Sequence, residues 1–255
     1  MAHRSENGLA RCLGKIGFRW RDPHWCGQHC EYRSKLMNYL AHALPFLDQP
    51  YLAAGTAVPD WLTVADRRCR LRLRQARAAC WRATGPQAAI VAGIVQHILD
   101  DGQFHRTRAF VETSLELSQS VRRLLDGESG LRPAILGHLL TEVLLDAALA
   151  AENPQRLEAY YQALEAVDPL VIQLAVNSVS SRATDRLAAM IQTFRHEAVL
   201  WDYLDDARLC HRINQVLRRV ALEPLPAEFA ELLPHARRQV ASRADQLLAG
   251  IPVRR

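Results

Sequence analysis

Lysine is nearly missing from this chain: the only two, Lys15 and Lys35, both fall within the first 36 of its 255 residues. Also missing is any unbroken apolar run near the roughly 18 residues that a bilayer-spanning helix needs, so no transmembrane segment is expected. The N-terminus lacks a charged stretch followed by an apolar one and a small-residue cleavage site. No secretory signal is therefore expected, and a cytoplasmic protein is the default reading. No Gly-x-Ser-x-Gly elbow, phosphate-cradling glycine loop or dinucleotide fingerprint occurs, which excludes the familiar serine-hydrolase and nucleotide-binding sites and gives no reason to expect an organic cofactor. Runs rich in β-branched residues and bounded by turns are scarce, which argues against a sheet. Self-similarity at a period of roughly 30–45 residues is absent too, which argues against a solenoid.

Positive charge is not where a nucleic-acid binder would carry it. Residues 1–36 hold seven basic residues (Arg4, Arg11, Lys15, Arg19, Arg21, Arg33, Lys35) against Glu6, Asp22 and Glu31, so +4 of the net +5 sits there. The remaining residues carry only +1, so no nucleic-acid partner is expected. Half of the six cysteines also lie in this first stretch. Cys26 and Cys30 beside His24 and His29 do not have the spacing of a zinc knuckle and lack a second pair. Residues 1–36 read as an irregular extension, and one expectation is that Met37 is the natural start; a genuine partner-binding arm is the alternative.

From Met37 onward the chain is rich in Ala, Leu and Arg, and apolar residues recur at helical spacing. Helices are expected over 38–47, from Pro50, over 66–83, from Pro86, and over 105–125, 132–151, 154–166, 168–180, 182–203, 205–221 and 227–249. Prolines sit at first turns, and Asn153-Pro154, Asp168-Pro169 and Pro224-Leu225-Pro226 mark borders. The expected fold is one all-α multi-helix domain over 37–250. Arg67, Arg68, Arg70, Arg72, Arg74, Arg77 and Arg82 read as a solvated helix face, with docking of an acidic carrier protein as the alternative. Trp61 and Trp81 read as packing residues. His196, His211 and His235 fall on amphipathic helices and read as surface or satisfied core histidines.

Chemistry concentrates where polar groups interrupt apolar helices. His97, Asp101 and His105 follow at i, i+4 and i+8, one turn apart along a helix that also carries Ile94 and Ile98; Gly102 could instead end that helix before His105. His138 and Glu142 repeat the histidine-then-carboxylate spacing among Ile135, Leu136, Leu139, Leu140, Val143, Leu144 and Leu145, and Asp146 continues the stripe. Burying such groups is costly unless something pairs with them, and a divalent cation held between helices is one such partner. A hydrogen bond between His138 and Glu142 is the blander alternative.

Met37-Asn38-Tyr39-Leu40-Ala41-His42, followed by Gly55-Thr56-Ala57-Val58-Pro59-Asp60-Trp61, resembles the acyl carrier protein phosphodiesterase family. Its members begin Met-Asn-Phe/Tyr-Leu-Ala-His and carry a Gly-Asn-x-x-x-Asp segment. The resemblance continues through Val91-Ala92-Gly93-Ile94, His97 and Asp101, resumes at His138, and is faint near Leu200-Trp201-Asp202-Tyr203. It implies an HD-type helical phosphohydrolase that uses a divalent cation to release 4′-phosphopantetheine from a carrier protein. Asp60, His97, Asp101 and His138 would be ligands, with His42 nearby. The chain departs from the family at Val95, Ile98, Leu99, His105 and Gly137, losing a histidine, two arginines and two acids.

His105 and Glu142 stand in as replacement ligands, and a shift toward imidazole favours zinc or manganese over magnesium. The His-x3-Asp-x3-His run with His-x3-Glu is also similar to zinc-dependent phospholipase C, another all-helical phosphodiesterase. Asp60 or Glu142 would orient or deprotonate the attacking water. The leading expectation is thus a metal-dependent phosphodiesterase acting on acyl carrier protein or a small phosphodiester. The alternatives are a phospholipase C-like phosphoesterase and a non-catalytic helical binding or scaffold protein.

Overall fold

The structure is a computed structural model that describes residues 38–125, 130–249 and 251. The extension over 1–36, with Cys26, Cys30, His24 and His29, lies outside the described residues, as does Met37. Among the described residues every regular element is helical and none is a strand. In chain order these are α1 (Tyr39–Ala43), a 3-10 turn (Leu44–Phe46), α2 (Pro50–Ala65), α3 (Leu73–Cys80), α4 (Gly85–Phe104), α5 (Arg108–Leu124) and α6 (Arg132–Glu152). Then come α7 (Pro154–Glu165), α8 (Pro169–Val179), α9 (Leu187–Glu197), a second 3-10 turn (Val199–Leu204), α10 (Asp206–Arg219), α11 (Phe229–Ala241) and α12 (Ala244–Leu248). The chain divides into two compact units: Asp48–Ile98 with Ala163–Gln192 form the described part of the first, and the rest of the described chain forms the second.

In the first unit α2 meets α4 at two glycines. A Cβ on Gly55 would run into the carbonyl oxygen of Ile90, and one on Gly93 would lie 2.8 Å from the Gly55 backbone. Only hydrogen at both positions lets the two backbones approach this closely. Leu52, Val58, Trp61, Ile90 and Ile94 close the core around the crossing, all essentially inaccessible. α8 starts at Pro169 with the Asp168 carboxylate accepting the Leu170 N–H at 2.8 Å, and it packs on both α2 and α3.

The second unit is built on α6, which is apolar on nearly every side. Leu136, Leu139, Leu140, Val143, Leu144 and Leu145 are all buried, and each such side chain contributes on the order of 1.5–3 kcal/mol relative to exposure. By length and composition α6 could cross a membrane, but 72% of its most apolar window is covered by the rest of the protein. It is a core helix. α5 packs along it most extensively, then α11. Gly137 sets that approach, because a Cβ there would lie 2.5 Å from the Ser114 carbonyl and 2.6 Å from the Ser118 N–H nitrogen. α5 itself starts at Thr107, whose hydroxyl accepts the Phe110 N–H at 3.2 Å.

Three expected helices are shorter than their apolar spacing predicts. Over 66–83 only Leu73–Cys80 is helical, because the Asp66 carboxylate accepts the Arg68 N–H at 3.0 Å and folds a turn there. The expected helix over 182–203 is broken at Ala198, which sits at φ 44°, and continues only as the 3-10 turn. The stretch expected over 227–249 splits at Ser242 and Arg243 into α11 and α12. Trp61 is fully buried, whereas Trp81 is 51% exposed. Cys69 and Cys80 are buried, and the seven arginines from Arg67 to Arg82 are all exposed.

Candidate metal centre

The α2–α4 crossing in the first unit determines where two expected site residues stand. His97 follows Gly93 by four residues and so lies one turn on along the same face of α4, while Asp60 lies five residues beyond Gly55 on α2. His97 Nε2 lies 3.9 Å from Asp60 Oδ1, and both residues are buried. This is an ion-pair distance rather than a hydrogen bond.

The other expected residues, His42, Asp101, His105, His138 and Glu142, belong to the second unit. α4 does not stop at Gly102. It runs to Phe104, and the His105 N–H donates to the Asp101 carbonyl at 3.1 Å, so His105 keeps the helical register predicted from i, i+4 spacing. His138 and Glu142 stand one turn apart on α6. The His105 Nε2 to Glu142 Oε1 distance is 2.7 Å, and His138 Nε2 reaches the same oxygen at 3.2 Å. One ligand atom from each of the three residues lies within 4.8 Å of those from the others, so the group could hold a metal ion.

Glu142 has no accessible side-chain surface, and its Oε2 accepts no hydrogen bond. The hydrogen bonds explain only one of its two oxygens. An ionised carboxylate buried with an unsatisfied oxygen is costly. Burial pushes the Glu142 carboxyl upward, yet the charge on His138 and the hydrogen bonds from both imidazoles outweigh it and hold the group at about 2. The carboxylate is therefore an anion at neutral pH, as a metal ligand must be. Two imidazoles and a glutamate are donors that a divalent cation accepts, so the residues fit such an ion.

Around this triad the supports are specific. Asp101 Oδ1 lies 3.4 Å from His105 Nδ1, on the far side of the ring from Glu142. Burial lowers the basicity of His105, but its hydrogen bond to Glu142 and the Asp101 charge more than reverse that, leaving it raised. Phe110 packs against both imidazoles, with ring centroids 4.7 Å from His105 and 4.8 Å from His138. Nothing in the sequence singles Phe110 out; its only signal is its place three residues after the helix-starting Thr107.

Two further buried carboxylates, Asp100 and Asp146, stand in the same unit. Asp100, which the i, i+4 pattern passes over for its neighbour Asp101, is buried, and its Oδ2 lies 3.8 Å from His42 Nδ1. Asp146 accepts the Leu40 and Ala41 N–H groups, both at 2.9 Å, and so caps the start of α1 from within α6. Burial lifts Asp146 to about 7 despite those two hydrogen bonds and the charge on His42, and the nearby Glu142 adds to the rise. Comparison of the chain with family models, with curated proteins and with solved structures finds no match. His196, His211 and His235 are exposed, as their helical patterns predicted.

Proposed function

We propose that this protein is a metal-dependent phosphoester hydrolase whose cation is held by His105, His138 and Glu142. What supports this reading is the Oε2 atom of Glu142, a buried anionic oxygen without a hydrogen bond beside two imidazoles that converge on its twin. Two nitrogen donors favour zinc or manganese over magnesium. A divalent cation at such a site supplies charge withdrawal from a phosphoryl group and activation of water near neutral pH.

The chain's own residues do the positioning. Glu142 contributes the negative charge, fixed by burial on a core helix. His105 is held from behind by Asp101, an arrangement that directs Nε2 inward and leaves the proton on Nδ1 when Nε2 is a ligand. Phe110 packs beside both rings and excludes water from that side. The resemblance at His42, Asp60, His97 and Asp101 supports a phosphodiester substrate, with the phosphopantetheine arm of an acyl carrier protein as the first to test.

The decisive experiment is metal analysis of the purified chain with thermal melting in zinc and in manganese, followed by assays on bis-p-nitrophenyl phosphate and holo carrier protein. The expected result is a bound divalent ion, a rise in melting temperature that Glu142→Gln removes, and hydrolysis lost in the same variant. Binding at about 100 times the dissociation constant adds about 2.7 kcal/mol of stability. A chain that retains no divalent ion and whose melting neither metal shifts overturns the proposal. Hydrolysis of the small ester without release from the carrier protein would move the substrate away from the family function.

A further inference from the structure

A second feature of the same unit lies apart from the His105–Glu142 triad. α5 and α11 pack against each other and leave a groove of about 510 Å³ lined by Glu116, Gln119, Ser120, Arg123, His235 and Arg238, with Gln239 and Ser242 also on its α11 side. That volume falls in the range of small-molecule sites, roughly 300–1,000 Å³. Its one acid, Glu116, is already engaged: Gln239 Nε2 donates to Oε2 at 2.6 Å, and Arg243 Nη2 lies 3.0 Å from the same oxygen. Arg243 is fixed in turn by Thr113, whose hydroxyl accepts from Nη1 at 3.1 Å. With the acid engaged, Arg123 and Arg238 set the sign of the groove, and His235 lines it beside them. Arg123 is oriented by donating to the Ser120 hydroxyl at 3.0 Å. Neither Arg123 nor Arg238 has an ion pair among the described residues.

Guanidinium forks, an imidazole, hydroxyls and side-chain amides make up a donor set suited to a tetrahedral oxyanion, for which arginine provides bidentate geometry. We propose that the α5–α11 groove binds a small phosphorylated molecule, independently of the metal centre. Its volume suits a small ester rather than a polymer backbone. Arg123 from α5 and Arg238 from α11 clasp the phosphate between them, and Gln119, Ser120 and Ser242 receive the polar remainder.

The test is titration of the full chain in EDTA with glycerol 3-phosphate, inorganic phosphate and, as a charge control, acetate. Calorimetry and amide chemical shifts report binding. Saturable binding tighter than about 1 mM is expected for glycerol 3-phosphate, with shifts at the amides of Ser120 and Gln239 in the wild-type chain. Arg123→Gln with Arg238→Gln should weaken it about tenfold or more, while Glu142→Gln leaves it unchanged. Absence of saturation, equal binding of acetate, or shifts confined to residues around His105 overturns the proposal. Loss of binding in Glu142→Gln would do the same, by placing the ligand at the metal centre.

Discussion

His105 and Glu142 are 37 residues apart in the chain, and Nε2 of the first lies 2.7 Å from Oε1 of the second. The contact joins the end of α4 to the middle of α6, and His138 is drawn into it at 3.2 Å. Glu142→Gln keeps the shape and one acceptor but removes the charge both imidazoles address. The metal-free protein should lose about 1–3 kcal/mol, the worth of hydrogen bonds to a charged group, and its melting should no longer respond to zinc. Urea unfolding with and without zinc checks both halves. A variant that still gains stability from zinc would show that Glu142 is not a ligand.

Glycine plays opposite parts within α4. Gly93 faces the α2 backbone, and a methyl group there would meet the Leu52 carbonyl and lie 2.8 Å from Gly55. Neither neighbour is a flexible side chain, so Gly93→Ala should cost about 3 kcal/mol or more by forcing the helices apart. Gly102 lies inside the same helix, and a methyl group on it would meet nothing within 4 Å. Gly102→Ala should instead stabilise by about 0.5–1 kcal/mol through reduced unfolded-state freedom. Thermal melts of the two variants should move in opposite directions; a neutral Gly93→Ala would refute the close crossing.

Helix content was legible because apolar spacing persists through α5, α6 and α10, and because Thr107, Pro133 and Asp205 mark their starts. The His105 register was legible too, since i, i+4, i+8 spacing needs only a continuous helix. What escaped reading depends on tertiary context. Ala198 carries no local sign that it takes a left-handed conformation at φ 44°. The Asp66 turn falls inside the helix expected over 66–83, because Arg alternating with Leu and Ala suits a surface helix and gives no sign of the turn. Asp146 looked like a continuation of the His138–Glu142 stripe, yet its partners are backbone groups 106 and 105 residues away. No spacing rule reaches that far. The division of the described helices into two units likewise follows from packing rather than from any linker composition.

Asp146 also sets the sign of the pH dependence. Its folded value, about 7, lies above the ordinary carboxylate value of 3.8. The folded state therefore binds the proton more tightly, so the contribution is full below pH 3.8 and is lost as pH rises through about 7. His105, also raised from its ordinary 6.5, acts in the same direction at higher pH. Glu142 acts oppositely, since its stabilisation holds above 4.5 and disappears only as pH falls through about 2. Metal-free protein should thus be more stable near pH 5 than near pH 8, with Asp146 accounting for on the order of 4 kcal/mol across its full range. Asp146→Asn should flatten the slope and also lose a cap, because its amide would face a backbone N–H. Urea denaturation in EDTA at stepped pH measures this; stability that climbs toward pH 8 would contradict it.

Asp101 offers the sharpest distinction between holding a metal and holding a ligand. Its Oδ1 addresses Nδ1 of His105 at 3.4 Å, while Glu142 lies against Nε2 of the same ring. A carboxylate in that place orients the ring and raises its basicity, and loss of such a partner typically weakens metal affinity about 10–100-fold without abolishing it. Asp101→Asn, which can still accept from Nδ1–H through its carbonyl, should lie at the mild end of that range, and Asp101→Ala at the severe end. Loss of His105 itself should cost more than either. Competition against a zinc chelator gives the ordering directly. Equal loss in Asp101→Asn, Asp101→Ala and His105→Ala would mean that Asp101 is itself a ligand, as the family resemblance implied, and that its place behind the imidazole is incidental.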